Sequence, residues 1–334
     1  MVIEMDLYID IGSTNIKWAV SDGRKGKMPF PLPFDCVYPH YEVDAEEIFS
    51  SVAKLIFSLS PSRVFFSVQM HGYVLLKEGK TVTGYVSWRD ERGGVLRPEF
   101  SLTEEYGVGM KPNLPRLSLQ AQKTDADEFC TLGSYLIYRL TGNNVTHITD
   151  AASSGFYNVR TGRADPTVYR LPQISFKLKE AGRIENTAVF TSVGDQQASV
   201  LGAVGTDRFD GYILNLGTAG QACCIEDGFV TGEFESRPYF SGTLCTVTGL
   251  PGGRYLSESQ NRSAEERIQN LTEAYKAAFR KLPKRAGLLV TGGVVRYYRE
   301  ILKSSLERLG RKYHLNEGED ALSGLKILSE KFLR

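Results

Sequence analysis

The 334-residue sequence lacks several features that would assign it to a specialised class of protein. Its formal net charge of +1 gives no electrostatic basis for binding nucleic acid or an anionic membrane. No apolar run is long enough to span a bilayer, and the first residues lack the basic-then-apolar order of a signal peptide, so we expect a cytoplasmic protein. The five cysteines form neither a CxxC pair nor a metal-ligand spacing, which predicts reduced structural thiols.

The two familiar phosphate-binding fingerprints, GxGxxG and GxxxxGK[ST], are also absent. The sequence has instead two similar strand-turn-strand segments, YIDIGSTNIKWAV from Tyr8 and ILNLGTAGQACCI from Ile213. At an offset of 205 residues, Asp10 aligns with Asn215 and Gly12 aligns with Gly217. Each copy places one polar residue in an apolar strand and then turns through Gly and Ser or Thr. We interpret the pair as an internal duplication, with chance similarity between two common turns as the alternative.

Turns rich in Gly, Ser and Thr expose backbone N–H groups, which bind anions. We therefore predict that Gly12-Ser13-Thr14-Asn15 and Gly217-Thr218-Ala219-Gly220 hold phosphates from two sides of a cleft. Asp10 is a carboxylate in an apolar strand, where it is unfavourable unless it is paired or linked to a metal. Because Mg²⁺ beside phosphates keeps several waters and takes one or two carboxylates, we expect Asp10 to hold Mg²⁺ through water. An Asp that bonds to the turn amides is the alternative.

Apolar periodicity predicts helices over 46–59 and 124–140 and a helix that begins near Asp195 and ends at Val204. Strands are predicted over 63–69 and 83–86, and polar side chains follow both of them. Residues 154–162 are predicted to form a strand that enters a turn.

The segments VQMHG, SWRDERG, VGDQQASVLGA and LNLGTAGQ, in this order and separation, resemble the FGGY carbohydrate kinases of the actin/hexokinase superfamily. Within that family the chain is most similar to the sedoheptulokinases, through GDQQAS from Gly194, LNLGT from Leu214 and RPYFSGTLCTVTGLPGG from Arg237. The resemblance runs from residue 6 to about residue 330 and is thin between 93 and 145. Members of the family are usually longer, so we expect a shortened second lobe.

The resemblance implies an α/β fold of two lobes, each with a ribonuclease-H-like core, and an active site in the cleft between them. Residues 1–207 would form the sugar-binding lobe and residues 208–334 the nucleotide-binding lobe. The partners would be a sugar and ATP with Mg²⁺, and the sequence leaves open whether the chain forms a homodimer. The implied ATP contacts are Gly12, Ser13, Thr14, Asn15, Lys17, Gly217, Thr218, Gly220, Gly292 and Gly293.

On the acceptor side, the resemblance implies sugar contacts from Gln69, Met70, His71, Trp88, Asp90, Arg92, Asp195 and Gln196. Asp90 would accept hydrogen bonds from hydroxyls, and Trp88 would form an apolar wall. From the residues alone, His71 is equally a buried hydrogen-bonded histidine, and residues 89–92 are equally a solvated charged turn. Glycerol kinases carry Arg-Glu where this chain has Met70-His71, which favours a ketose over glycerol.

Asp195 follows Gly194 at the start of a predicted helix. The resemblance implies that Asp195 is the general base that takes the proton of the attacking sugar hydroxyl, whereas the residues alone also allow a helix cap. The segment that contains Asp150 would have an architectural role. We therefore predict ATP-dependent phosphorylation of a ketose, with sedoheptulose favoured and xylulose or another ketose or polyol as the alternative. A nucleotide-binding sensor or assembly protein is the alternative of another class.

Overall fold

The computed structural model describes residues 4–96, 106–109, 111, 113–207, 209–318 and 320–331. Its N-terminal sheet is built around the strand Asp6–Ile11, which pairs antiparallel with Asn15–Val20 and parallel with Arg63–Val68. The strand Val193–Gly194 also pairs parallel with Arg63–Val68. The remaining order across this sheet is Glu180–Ile184, Thr187–Phe190, Arg63–Val68, Asp6–Ile11, Asn15–Val20 and Lys25–Pro29.

The C-terminal sheet repeats this arrangement. The strand Gly211–Leu216 pairs antiparallel with Gly220–Glu226 and parallel with Gly287–Thr291. The full order is Glu235–Tyr239, Gly242–Leu250, Gly220–Glu226, Gly211–Leu216, Gly287–Thr291 and His314–Leu315. The two segments aligned at an offset of 205 residues thus occupy equivalent hairpins in two sheets that share the order of five strands, which agrees with the predicted duplication.

A third sheet is inserted between the strands of the N-terminal sheet. Its strands are, in spatial order, Glu128–Thr131, Tyr73–Lys77, Tyr85–Val86, Glu42–Val43 and Pro33–Asp35, with Lys80–Thr81 paired on Tyr73–Lys77. Two small strand pairs complete the described strands: Val145–His147 pairs parallel with Gln173–Ser175, and Tyr157–Asn158 pairs antiparallel with Arg163–Ala164. The predicted strand over 154–162 is therefore two residues long and precedes a turn in which Gly162 has φ +70°.

The helices follow the apolar periodicity with one correction. The helix predicted over 46–59 spans Ala45–Leu59, and the Asp44 side chain caps its first turn. The prediction of a helix over 124–140 was wrong in its first half, because Glu128–Thr131 is a strand and the helix spans Leu132–Thr141. Pairing with Tyr73–Lys77 overrides the helical period there, and the Thr131 hydroxyl, which accepts from the Ser134 N–H, starts the helix. Within the described ranges the other α-helices are Pro115–Gln120, Ile148–Ala151, Asp195–Val204, Gly253–Glu258, Ala264–Lys281, Gly293–Tyr297, Arg299–Glu307 and Asp320–Lys331, with 3₁₀ turns at Arg92–Val95 and Ala152–Ser154.

Each large sheet has its own apolar core, and a further cluster joins the two sheets. This joining cluster includes Phe65 and Val193 from the N-terminal sheet, Ile213 and Cys223 from the C-terminal sheet, and Leu325 from the last helix. The last helix, Asp320–Lys331, lies directly against the helix Asp195–Val204. None of the helices in the described ranges combines the length and apolarity needed to cross a bilayer.

Candidate active site

The candidate site lies where parallel strands of the N-terminal sheet end at a common edge. Asp10 is in register with Ser67, and Ser67 is in register with Val193. Gln69 directly follows the strand Arg63–Val68 at this edge, and Asp195 directly follows the strand Val193–Gly194. Ligands of open α/β sheets bind at the carboxyl ends of such strands. The register therefore brings predicted residues from three distant parts of the chain to one place.

Asp195 is the first residue of the helix Asp195–Val204, and Gly194 is the N-cap residue. The half-buried Asp195 accepts a hydrogen bond from the Gln196 N–H at 2.8 Å. A Cβ on Gly194 would lie 2.5 Å from Gln197 Oε1 and 3.0 Å from Met70 Sδ, so a side chain there would displace these two neighbours. Burial raises the pKa of Asp195 to about 7, the nearby Asp10 carboxylate adds to the increase, and Arg237 opposes it. The carboxylate therefore titrates near neutral pH.

Asp10 is half-buried and accepts a hydrogen bond from Ser67 Oγ at 2.9 Å. Across the hairpin, Asp10 is in register with Lys17. Asp10 also lies close enough to Asp195 for its negative charge to contribute to the raised pKa of that residue. Two close carboxylates of this kind suit a divalent cation, which would relieve their mutual repulsion.

The two predicted phosphate loops are the turns of equivalent hairpins. Gly12 and Asn15 close the first turn through a backbone hydrogen bond of 3.1 Å. In the second loop, Gly217, Thr218 and Ala219 are exposed, and a Cβ on Gly217 would come no closer to its surroundings than 3.8 Å from Ala219 O. The space above this glycine is therefore open to a ligand that approaches the backbone.

The sequence analysis missed the support of the second loop. The Gly253 N–H donates to Gly217 O at 2.8 Å, and the Arg254 N–H donates to Thr218 O at 3.0 Å. A Cβ on Gly252 would lie 2.8 Å from Gly220 N, so only glycine allows this approach. The Pro-Gly-Gly triplet at 251–253 was the available signal for a close backbone contact.

Gly292 and Gly293, which are predicted ATP contacts, lie beside this second loop. Asn215 and Thr291 are in register on neighbouring parallel strands, so Gly292 leaves the sheet at the same edge as Gly217. Gly292 has φ +98°, and a Cβ there would lie 2.5 Å from Leu216 O. Gly293 then begins the short helix Gly293–Tyr297 and has open space where a Cβ would lie.

Gln69, Met70 and His71 are buried beside Asp195. Neither the oxygen nor the nitrogen of the Gln69 side-chain amide has a hydrogen-bond partner among the described residues. His71 has φ +62°, a strained value for a residue with a side chain, and its N–H donates to Ser153 Oγ at 3.2 Å. Buried polar atoms without partners are unfavourable, so these groups indicate a place for a polar ligand.

Residues 148–154 contact both the backbone before Asp195 and the backbone of His71. Thr149 Oγ1 accepts from the Gly194 N–H at 3.2 Å, and Ser153 contacts His71 as described above. Asp150 is buried and accepts hydrogen bonds from Thr131, Thr146 and Ser192, and burial raises its pKa to about 6. These contacts agree with the predicted architectural role of the segment.

Asp90 is held by hydrogen bonds within the protein, and its role as an acceptor of hydrogen bonds from sugar hydroxyls stays a prediction. Asp90 Oδ1 accepts from the Arg92 N–H and from Arg92 Nε, and Oδ2 accepts from Arg92 Nη2 and the Tyr41 N–H, at 2.7–3.1 Å. These four bonds use the acceptor capacity of the carboxylate. Arg92 is also bound to Glu42 and Gln122. Asp90 and Arg92 thus shape the turn that carries the half-buried Trp88.

A charged cluster on the C-terminal side of the site was not predicted. Arg237, on the strand Glu235–Tyr239, is only 3% exposed and donates to Gln196 Oε1. Gln196 Nε2 donates to Thr246 Oγ1 at 3.2 Å, so the amide of Gln196 is held by two residues of the C-terminal sheet. Glu235 binds Arg237 and also pairs with Lys111. Burial alone would raise the pKa of Glu235, but these two cations lower it to about 2.

No family model and no curated protein matches this sequence. Solved structures do match over nearly the whole chain. A xylulose kinase from Lactobacillus acidophilus has TM-score 0.83 and 18% identity, with 99% of this chain and 90% of that chain covered. The fold is that of the carbohydrate kinases. A gluconate kinase from Lactobacillus acidophilus matches with TM-score 0.80 and 18% identity, covering 98% of this chain and 89% of that one. A Plasmodium falciparum glycerol kinase with ADP matches with TM-score 0.77 and 13% identity, covering 97% and 89%.

These matches confirm the predicted fold class, two lobes with ribonuclease-H-like cores of the actin/hexokinase type. The division at residue 207 and the shortened second lobe stay predictions. The C-terminal sheet nonetheless has six strands, and five of them follow the same spatial order as five strands of the N-terminal sheet.

Proposed function

We propose that the protein transfers the γ-phosphate of ATP to a hydroxyl group of a ketose. The observation that carries this proposal is the position of Asp195 at one sheet edge with the buried side-chain amide of Gln69, for which the described residues provide no hydrogen-bond partner. A nucleotide-binding sensor has no need for a general base beside buried polar groups of this kind. The carbohydrate-kinase fold supports the proposal.

The donor side would be formed by Asp10, Lys17, the two hairpin loops and the turn Gly292–Gly293. The backbone N–H groups of the loops would hold the phosphates, and the open space above Gly217 and Gly293 suits a close approach. Asp10, held by Ser67, would anchor Mg²⁺ through water. When bound, Mg²⁺ supplies neutralisation of the phosphate charge.

On the acceptor side, Asp195 would take the proton of the attacking hydroxyl on its carboxylate oxygen. A pKa near the working pH is favourable for a general base, because the group is then both ionised and basic. Gln69 and His71 would orient the sugar oxygens, and Gln196 retains one amide hydrogen for a further contact. Met70 and Trp88 would provide apolar surface. Closure of the cleft would exclude water and limit hydrolysis of ATP.

We place sedoheptulose first among acceptors and xylulose second, and we expect glycerol to be poor. Met70-His71 in place of Arg-Glu motivates the exclusion of glycerol. Residues 1–207 would act as the sugar-binding lobe and residues 208–334 as the nucleotide-binding lobe. A cytoplasmic location stays a prediction of the sequence.

The test is ADP release from Mg-ATP with a panel of ketoses, aldonates and polyols, for the parent and Asp195→Asn. We expect sugar-dependent release in the parent and a decrease in turnover of about 10²–10⁴-fold in the variant. Asp44→Asn is the matched control, since Asn caps a helix about as well as Asp, and it should leave turnover unchanged. ADP release that is indifferent to every acceptor would favour the sensor, and a fully active Asp195→Asn variant would exclude Asp195 as the base.

A further inference from the structure

Arg237 belongs to the C-terminal sheet but lies among the acceptor residues of the N-terminal side. Its Nη1 donates to Gln196, and its Nη2 lies 3.2 Å from His71 Nε2. Its Nη1 is also 3.9 Å from Met70 Sδ. A buried guanidinium that contacts three neighbouring acceptor residues is positioned to determine how they present their polar atoms.

Only one assignment of donor and acceptor fits the contact between Arg237 Nη2 and His71 Nε2. A guanidinium has five N–H donors and no acceptor, so His71 Nε2 must be the acceptor. An imidazole that accepts at Nε2 is neutral and carries its proton on Nδ1. His71 Nδ1 is buried and has no hydrogen-bond partner among the described residues. It is therefore a buried N–H donor that the described residues leave without an acceptor.

The surrounding charges keep His71 in this neutral form. Burial, assisted by Arg237 and Lys111, lowers the pKa of His71 to about 3. Glu235 is the opposing charge, but its carboxylate is bound to Arg237 Nε at 2.8 Å and Nη2 at 2.6 Å, and it pairs with Lys111. The cluster of two cations and one anion thus opposes a third positive charge.

We propose that Arg237 is a positioning residue that fixes His71 as its Nδ1–H tautomer, so that His71 donates a hydrogen bond to an oxygen of the acceptor substrate. This inference rests on the proposed function of the site. It assigns the substrate atom opposite His71 as an acceptor of hydrogen bonds, such as the carbonyl or a hydroxyl oxygen of a sugar. Because Arg237 comes from the other lobe, both lobes complete the acceptor site.

A lysine cannot replace Arg237 in this arrangement. The guanidinium fork binds Glu235, Gln196 and His71 in three directions from one plane, whereas an ammonium group is a point charge on a flexible stem. Arg237→Lys therefore keeps the charge and the pairing with Glu235 but loses the directed bond to His71. Arg237→Met removes the donor altogether.

The experiment is nitrogen NMR of the full chain labelled with ¹⁵N-histidine, recorded without ligands. The sequence has only four histidines, so His71→Gln assigns the signal. We expect His71 to be protonated at Nδ1 and bare at Nε2 from pH 6 to 8, and to become a mixture of tautomers in Arg237→Lys and Arg237→Met. Arg285→Met, which removes an ion pair with Glu226 in the same lobe, is the control and should leave the His71 signal unchanged.

Kinetics give the second measurement. The KM for the sugar should rise roughly tenfold in Arg237→Lys, as expected for the loss of one well-placed hydrogen bond, while the KM for ATP stays within about twofold. A proton on His71 Nε2 in the parent would overturn the proposal, as would an unchanged Nδ1–H tautomer in both Arg237 variants. The NMR result does not depend on turnover, so the expected tautomer in a protein that phosphorylates no sugar would contradict the proposed function and leave the tautomer assignment intact.

Discussion

At the scale of single residues, Asp195 is held in an environment that disfavours its charge. Burial and the neighbouring Asp10 raise its pKa to about 7, while an ordinary Asp titrates near 4. The folded state therefore binds this proton more tightly than the unfolded state does. Ionisation of Asp195 reduces stability, and the same ionisation produces the base that the proposed reaction requires.

Ionisation of Asp195 is therefore predicted to have opposite effects on catalytic activity and on stability as the pH rises. In the parent, kcat/KM for the sugar should rise with pH and reach half its maximum near pH 7, because the carboxylate must be ionised to accept a proton. Stability should decrease as the pH rises from about 4 to about 7, since the unfolded chain ionises first. Asp195→Asn should therefore match the parent in Tm near pH 4 and exceed it at pH 8. Equal Tm values at both pH values, or a rate profile with its midpoint near pH 4, would contradict this account.

Some of the site residues could be predicted from sequence, and others could not, for a physical reason. Gln69, His71 and Asp195 directly follow or end strands, where local pattern is informative. Arg237 is an arginine in a strand whose partners are 41 and 166 residues away, so nothing local distinguishes it from an exposed surface residue. The sequence also did not predict that Arg92, two residues from Asp90, donates hydrogen bonds to both oxygens of its carboxylate.

At the scale of secondary-structure elements, the two hairpins show how one pattern is used twice. In each, the first strand pairs antiparallel with the second and parallel with a later strand. The two loops differ in their support, however. The second loop is held by the N–H groups of Gly253 and Arg254, whereas the first turn is held by the N–H of Phe30, which donates to Thr14 O at 3.0 Å. Periodicity predicted the hairpins, but it could not predict that residues 128–131 form a strand, because pairing with Tyr73–Lys77 decides this.

The open second loop permits a clean test of phosphate binding. A side chain at Gly217 meets little protein, so Gly217→Val should fold with a Tm close to that of the parent. The same side chain would occupy the space where a phosphate approaches the backbone, so affinity for Mg-ATP should fall at least tenfold. Calorimetric titration with Mg-ATP and thermal melting measure the two effects.

The control for that experiment is Gly228→Val, in the same lobe, where a Cβ would also meet open space. It should change neither quantity. Mg-ATP binding by Gly217→Val that equals binding by the parent would remove the second loop from the nucleotide site.

At the scale of the whole molecule, the lobes are joined by a pair of helices. The helix Asp195–Val204 carries the proposed base at its first residue, and the last helix, Asp320–Lys331, packs against it. Thr291, at the end of a strand in the C-terminal sheet, donates to Asp320, and Tyr8 of the N-terminal sheet bonds to Ser329 at 3.0 Å. The last helix thus contacts both sheets and the element that positions Asp195. This arrangement connects the position of the base to the way the two lobes are held together.

Gly324 tests this connection because a Cβ on it would lie 2.0 Å from Ala198 O, which is backbone and cannot move aside alone. Alanine favours an isolated helix over glycine by ~1 kcal/mol, but forcing atoms into a packed contact costs about 1–3 kcal/mol or more. The steric effect should dominate, so Gly324→Ala should lower the free energy of unfolding by roughly 1–2 kcal/mol. Because the helix of Asp195 must shift, sugar-dependent ADP release should also fall at temperatures where the variant is fully folded.

Gly228→Ala, which meets no atom within 4 Å, should leave both measurements unchanged. Denaturant titration and steady-state rates at 15 °C would separate the two effects. A Gly324→Ala variant as stable and as active as the parent would show that the two helices do not transmit strain to the base.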